Sequence, residues 1–111
     1  MKHLAKIDEN VLLVILQLKD NAYIVTIKKR LEKYLGKNVS LGTIYLSLKR
    51  LIRDGYIVSR IGDSTSVKGG KSIKYYRLTK SGINKLYEIE QLFKVMWEGF
   101  NKQTNDYPDL I

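Results

Sequence analysis

SLGTIYLSLKRLIRDGYIVSRIGDSTSVKGGKSIKYYRLTK, residues Ser40 to Lys80, decides the fold. Leu41, Ile44, Tyr45, Leu48, Leu51 and Ile52 recur at three- and four-residue steps, the spacing that places them on one buried helical stripe. The opposite face then carries Thr43, Ser47, Arg50 and Asp54. Ser40 suits the N-cap, because its hydroxyl can accept a bond from a free backbone N–H, and Asp54-Gly55 supplies a glycine that tolerates positive φ at the helix end. Two β-prone runs follow, Tyr56 to Ile61 and Ile73 to Leu78, separated by a loop rich in Gly, Ser and Lys. Such runs predict a hairpin after the helix.

Charge shows where this unit points. The 111 residues hold 20 Lys or Arg against 11 Asp or Glu, a net of +9. Ser40 to Lys80 alone holds nine basic residues against Asp54 and Asp63, a local net of +7, whereas Ser81 to Ile111 sums to −2. A basic surface by itself is often only a solvated face. Concentrated on a helix and hairpin, it is the footprint expected of a protein that neutralises backbone phosphates and releases their counterions.

LGTIYLSLKRLIRDGYI followed by KGGKSIKYYRLTKSG resembles the PadR-like family of winged-helix transcriptional regulators. That family's signature is a GT-hydrophobic-Y recognition helix and a wing leading into YYRLT-x-x-G. DNAYIVTIKKRLEKYLGKNVS resembles the second helix of these proteins, so the likeness spans roughly residues 10 to 88. Ala22 stands where many members carry Gly, Leu46-Ser47-Leu48 where Pro-Ala-Leu is common, and Lys71-Ser72-Ile73 where arginines and a proline are usual. The resemblance implies an α+β, mainly α fold: a winged helix-turn-helix, with a three-helix core, a β-hairpin wing and a C-terminal dimerisation helix. It also implies double-stranded DNA as partner and, since most members repress, a repressor.

Upstream, Asp8 is placed to cap a largely apolar first helix beginning near Glu9 and carrying Val11, Leu12, Ile15, Leu16 and Leu18. Asp20-Asn21 forms a turn, with Asn21 available as the next cap. The second helix runs from about Ala22 to Leu35, buries Tyr23, Ile24, Ile27, Leu31 and Leu35, and turns Lys28, Lys29 and Lys33 outward. Val39 is expected to add a short strand. In a helix-turn-helix the second helix supports the reading helix and brushes the phosphates, a role open to Lys28 and Lys29, as is plain surface solubility.

On the reading helix, Thr43 and Ser47 are the outward residues nearest its N-terminus and are expected at base edges, with Arg50 along the same face. Lys49 and Arg53 are expected to position the protein on phosphates. Tyr45 falls on the buried stripe; the resemblance instead places the signature tyrosine at the DNA face. In the wing, Gly62, Gly69 and Gly70 let the loop bend, and Lys68, Lys71 and Lys74 can follow phosphates or enter a minor groove. Gly70-Lys71-Ser72 is not a nucleotide loop, because Thr65 stands where the earlier glycine is needed and a strand follows.

Thr79 is expected to cap a last helix reaching from Lys80 to about Asn101. Leu86, Ile89, Phe93, Met96 and Phe100 form a heptad-like seam that Leu92 and Trp97 widen. Packing on its own domain would cover such a face only in part, and a large exposed apolar face marks an interface. A homodimer follows, whose two-fold axis would hold two reading helices about 34 Å apart, matching half-sites on one face of the duplex. Phe93, Met96 and Trp97 serve as plain packing. They are also suited to a small apolar or aromatic effector, and the resemblance adds that some short members bind flat apolar compounds between subunits.

Residues 1–79 are thus expected to be the DNA-binding domain, 80–101 the dimerisation helix, and 102–111, with the single proline Pro108, a frayed tail. With no cysteine, disulfides and thiolate metal sites are excluded. His3, the lone histidine, has no partner at metal-ligand spacing. No cofactor or metal is expected. Nothing resembles an acid–base or nucleophilic site, so an enzyme is not expected. VLLVIL is too short to span a bilayer and no secretory leader is evident, which points to the cytoplasm. Two readings remain: a dimeric sequence-specific repressor on a palindromic operator, or a winged-helix interaction module whose basic face meets nucleic acid nonspecifically or an acidic protein.

Overall fold

The structure, a computed structural model, describes residues 3–62, 67–68 and 71–107. The first helix, α1, spans Lys6–Leu18 and is led in by extended Ala5, so Asp8 lies inside its first turn rather than at its cap. Val11, Leu12, Val14 and Ile15 are buried, but Leu13 and Leu16 are about half exposed, so α1 has a second, uncovered apolar face.

A 3-10 turn at Lys19–Asn21 leads to α2, Ile24–Leu35. Its cap is made by Thr26 and not by the Asn21 side chain: Thr26 Oγ1 accepts the Tyr23 N–H at 3.0 Å and donates to the Asn21 carbonyl at 2.6 Å. Ile27 and Leu31 enter the core, whereas Leu35 is exposed. Val39 forms no strand. It is buried in the turn, with its N–H donated to the Glu32 carboxylate at 2.9 Å.

The reading helix, α3, covers Leu41–Arg53. Ser40 Oγ accepts the Thr43 N–H at 3.1 Å, and Gly55 follows the helix at φ +80°. Strands β1 (Ile57–Ile61) and β4 (Lys74–Leu78) pair antiparallel, with Ile57 opposite Leu78 and Arg60 opposite Tyr75. Between them, β2 (Val67–Lys68) and β3 (Lys71–Ser72) form a second two-residue ladder. The Tyr76 N–H also bonds the Ala22 carbonyl at 2.9 Å, fixing the hairpin to the turn before α2. Gly69 and Gly70, expected to bend the wing, lie outside the described residues, as does Pro108.

The core lies where the three helices meet the hairpin. Leu12 and Ile15 of α1, Ile27 and Leu31 of α2, Ile44, Leu48 and Leu51 of α3 and Ile57 of β1 are all essentially inaccessible. Each is worth roughly 1.5–3 kcal/mol of burial, so the helices hold one another far more than their own propensities hold them.

Helix α4, Lys80–Trp97, begins as expected: Thr79 Oγ1 accepts the Gly82 N–H at 3.1 Å and donates to the Gly55 carbonyl at 2.6 Å. Its first turn sits so close to the hairpin root that a Cβ at Gly82 would lie 2.1 Å from the Tyr56 carbonyl oxygen. Lys85 is buried there, paired with Glu88 at 2.9 Å and 5.7 Å from the Tyr56 ring centroid. The helix stops four residues earlier than expected. Glu98 leaves helical geometry and Gly99 turns at φ +76°, a conformation few side chains accept, before a last short helix, α5, at Phe100–Gln103 and a 3-10 turn at Thr104–Asp106. From Gln91 onward every described residue of α4 is exposed. The radius of gyration, 17.3 Å, exceeds the roughly 13 Å of a compact chain of this length, as a projecting α4 requires. The architecture is a winged helix-turn-helix, mainly helical, with a C-terminal helix standing out from it.

Candidate nucleic-acid interface

The surface of α3 follows from which residues its neighbours cover. Ile44, Ser47, Leu48 and Leu51 face α1 and α2, while Leu41, Tyr45 and Ile52 at the stripe's edges are 41–53% exposed. Two sequence-based expectations change with this. Ser47 does not point outward: it is fully buried and donates its hydroxyl to Asp8 Oδ1 at 2.6 Å. A buried hydroxyl costs little when it is hydrogen-bonded, and a carboxylate from α1 supplies the acceptor. Tyr45, placed on the stripe by spacing, is exposed, and Lys49 Nζ lies 5.7 Å from its ring centroid.

Arg50 is half turned away as well. Its Nε and Nη2 donate to Asp8 Oδ2 and Oδ1 at 2.9 and 2.8 Å, a forked pair across two helices. Burial pushes the Asp8 carboxyl up, but the hydrogen bonds from Arg50 and Ser47 and the Arg50 charge outweigh it and hold the group below its ordinary value. The same bond raises the Arg50 guanidinium above its own. Local sequence suggests a cap at Asp8; only the docking of α1 on α3 reveals that it organises the reading helix.

Of the α3 residues expected at the DNA, Thr43, Tyr45, Lys49 and Arg53 remain outward. Thr43 shares a 2.8 Å hydrogen bond with Ser40, and Arg53 pairs with the adjacent Asp54 at 3.1 Å. On α2, Lys29 is exposed, whereas Lys28 is tied to Glu32. That lysine, and then the Val39 N–H, hold the Glu32 carboxyl low. Lys74 is exposed on β4 opposite Ile61. The backbones of Lys68 and Lys71 face each other across the short ladder, and their side chains lie outside the described residues.

Sequence reasoning missed one basic group. The Arg60 guanidinium lies 4.7 Å from the Tyr75 ring centroid, and Tyr23 meets Tyr75 edge-on at 5.5 Å. Residues directly opposite in an antiparallel pair share a face, so the Arg60–Tyr75 register carried that signal.

The C-terminal candidates divide. Leu86 is partly buried against the core and Ile89 is half-buried, while Phe93, Met96, Trp97 and Phe100 are exposed, Met96 to 73%. Phe93 stacks on Trp97 at 5.3 Å, and the Gly99 turn brings Phe100 to within 4.8 Å of the same ring. A groove of 670 Å³ runs between α1 and α4, lined by Leu13, Leu16, Ile83, Leu86, Tyr87 and Phe93 among others. Among the described residues no helix is long and apolar enough to cross a membrane.

The fold is shared with solved regulators. The chain is similar to a PadR family transcriptional regulator from Eggerthella lenta, at 32% identity and a TM-score of 0.65 over 84% of this chain and 79% of that one. It is similar to a PadR family transcription regulator from Clostridium difficile, at 27% identity and a TM-score of 0.65 over 93% of this chain and 98% of that one. A Bacillus subtilis PadR solved in complex with operator DNA has the same fold, with 24% identity and a TM-score of 0.63, over 76% of this chain and 46% of that one. No curated protein matches the chain. The model of the transcriptional regulator PadR-like family matches residues 11–100, and the chain belongs to that family of regulators rather than to any class of enzyme.

Proposed function

We propose that this chain is a homodimeric, sequence-specific DNA-binding repressor of the cytoplasm that covers a palindromic operator. The observation that carries the reading is the outward side of α3, where Thr43, Tyr45, Lys49 and Arg53 stand clear of the core behind a capped N-terminus. Use of the same fold on operator DNA by Bacillus subtilis PadR supports it. In this reading residues 1–79 bind DNA, 80–101 pair the two copies and 102–111 follow as a tail. Lys29, Lys74 and, beyond the described side chains, Lys68 and Lys71 neutralise phosphates, and Lys49 and Arg53 set the register.

The dimer seam is the exposed length of α4. Phe93, Met96, Trp97 and Phe100, with Leu92 and Val95, are each about half exposed or more, and a run of large apolar side chains left at the surface is the kind that marks an interface. The groove between α1 and α4 continues that surface, so the partner's aromatic cluster has a place to seat. A flat apolar effector held by Phe93, Met96 and Trp97 would release the operator by changing the spacing of the reading helices.

The test is anisotropy of labelled DNA from upstream of the chain's own reading frame, against a scrambled duplex, over a range of salt. A repressor should prefer its site by about 10³ or more. Equal affinities that collapse together with salt would leave a basic module without an operator. Titration of planar dyes followed by Trp97 fluorescence tests the effector, and an unsaturable or absent response removes it.

A further inference from the structure

Gly42, Leu46, Lys49 and Arg53 follow one another at steps of four, three and four residues, and all four are exposed. They form the most outward line of α3, and two of them are not explained by the fold. Gly42 has ordinary helical φ, and a Cβ there would find only Ser40 Oγ, at 4.0 Å. Neither backbone conformation nor space requires glycine, although alanine is the better helix former. Leu46 is 54% exposed and is not among the side chains packed on the core. A lone exposed leucine is ordinary on a protein surface. This one stands in the middle of the basic reading face, one turn after a glycine that the fold does not need.

Both features have one account if the outward line of α3 lies against base edges. Absence of a side chain at residue 42 lets the first turn of the helix approach a surface closely. One turn on, Leu46 meets what the backbone has been brought near. In the major groove the edges of A, G and C present donors and acceptors, and thymine alone adds a methyl group. Lys49 and Arg53, further along the same line, lie where the helix leaves the bases for the phosphates. Resting on the DNA-reading function above, we propose that Leu46 is a specificity-determining residue whose object is the 5-methyl group of a thymine, and that Gly42 is the clearance that lets it reach.

The test begins with selection of preferred duplexes from randomised DNA by the full-length protein. Each thymine of the selected half-site is then replaced by uracil, which removes the methyl alone, and affinities are measured for the wild type and for Leu46→Ala. One thymine per half-site should lose about three- to tenfold on replacement, the weight of one buried methyl group, and that loss should vanish in Leu46→Ala. Because Leu46 is exposed and alanine favours helix, the variant should melt like the wild type. Gly42→Ala should melt no lower than the wild type yet bind every duplex about tenfold more weakly, since the obstruction does not depend on sequence. Indifference of every thymine, a uracil penalty unchanged in Leu46→Ala, or full affinity in Gly42→Ala overturns the assignment. A selection that enriches no sequence overturns the DNA-reading function itself, and the assignment with it.

Discussion

Asp8 and Arg50, 42 positions apart in sequence, are joined by two hydrogen bonds of 2.9 and 2.8 Å that tie the first turn of α1 to the reading helix. Ser47 adds a third bond to the same carboxylate, at 2.6 Å. One acidic side chain therefore sets how α3 is rotated against α1, and with it which residues of α3 face outward. Asp8→Ala would leave a buried hydroxyl and a partly covered guanidinium without their acceptor. Urea unfolding should show a loss of about 2–3 kcal/mol.

The same carboxylate makes stability depend on acid. Its folded-state value is held below the unfolded value, near 3.9, so its contribution is complete above that pH and disappears as pH falls through the folded value. Thermal melts should therefore show the wild type losing stability below about pH 4. Asp8→Asn should start lower at neutral pH and fall less steeply. Parallel pH profiles for the two proteins would count against the assignment.

Gly82 offers a purely steric prediction. A methyl group there would lie 2.1 Å from the Tyr56 carbonyl oxygen, a backbone atom that cannot swing aside. Gly82→Ala should cost about 1–3 kcal/mol in denaturant titration, despite alanine's better helix propensity.

Ser47 and Lys49, two residues apart, should behave as opposites. Ser47→Ala should lower stability by about 1 kcal/mol and leave the salt dependence of DNA binding unchanged, because its hydroxyl serves Asp8. Lys49→Gln should leave stability within about 0.5 kcal/mol. It should also reduce the slope of log affinity against log salt by about one, equally for all sequences.

A charge in the exposed aromatic cluster tests pairing. Trp97 stacks on Phe93 and touches Phe100 without entering the core, so Trp97→Glu should keep the helical circular dichroism of the fold. Sedimentation equilibrium should move from dimer to monomer. An unchanged dimer would place the seam elsewhere.

Signals confined to neighbouring residues are legible in the sequence itself. Ser40 and Thr79 cap the helices they precede and Asp54-Gly55 ends α3, because each depends on side chains within about four positions of the backbone they serve; the two β-prone runs are likewise visible as strands from their own residues. The concentration of Lys and Arg between Ser40 and Lys80 belongs to this class, since charge needs no fold to be counted. The end of α4 is misread by periodicity: apolar spacing through Phe100 carries the expected helix to about Asn101, whereas it stops at Trp97, just before the Gly99 turn.

Tertiary structure alone decided which way α3 faces. Periodicity places Tyr45 inside and Ser47 outside, and both are reversed, because a polar residue goes in where a distant acceptor meets it and an amphipathic ring stays at the edge. Arg60 gained its place over Tyr75 only when β1 and β4 took their register. The exposed half of α4 likewise became visible only as surface, since heptad spacing describes a face equally well whether its own domain or a second copy covers it. Local chemistry specified the elements of this chain; contacts between residues dozens of positions apart selected the faces they present.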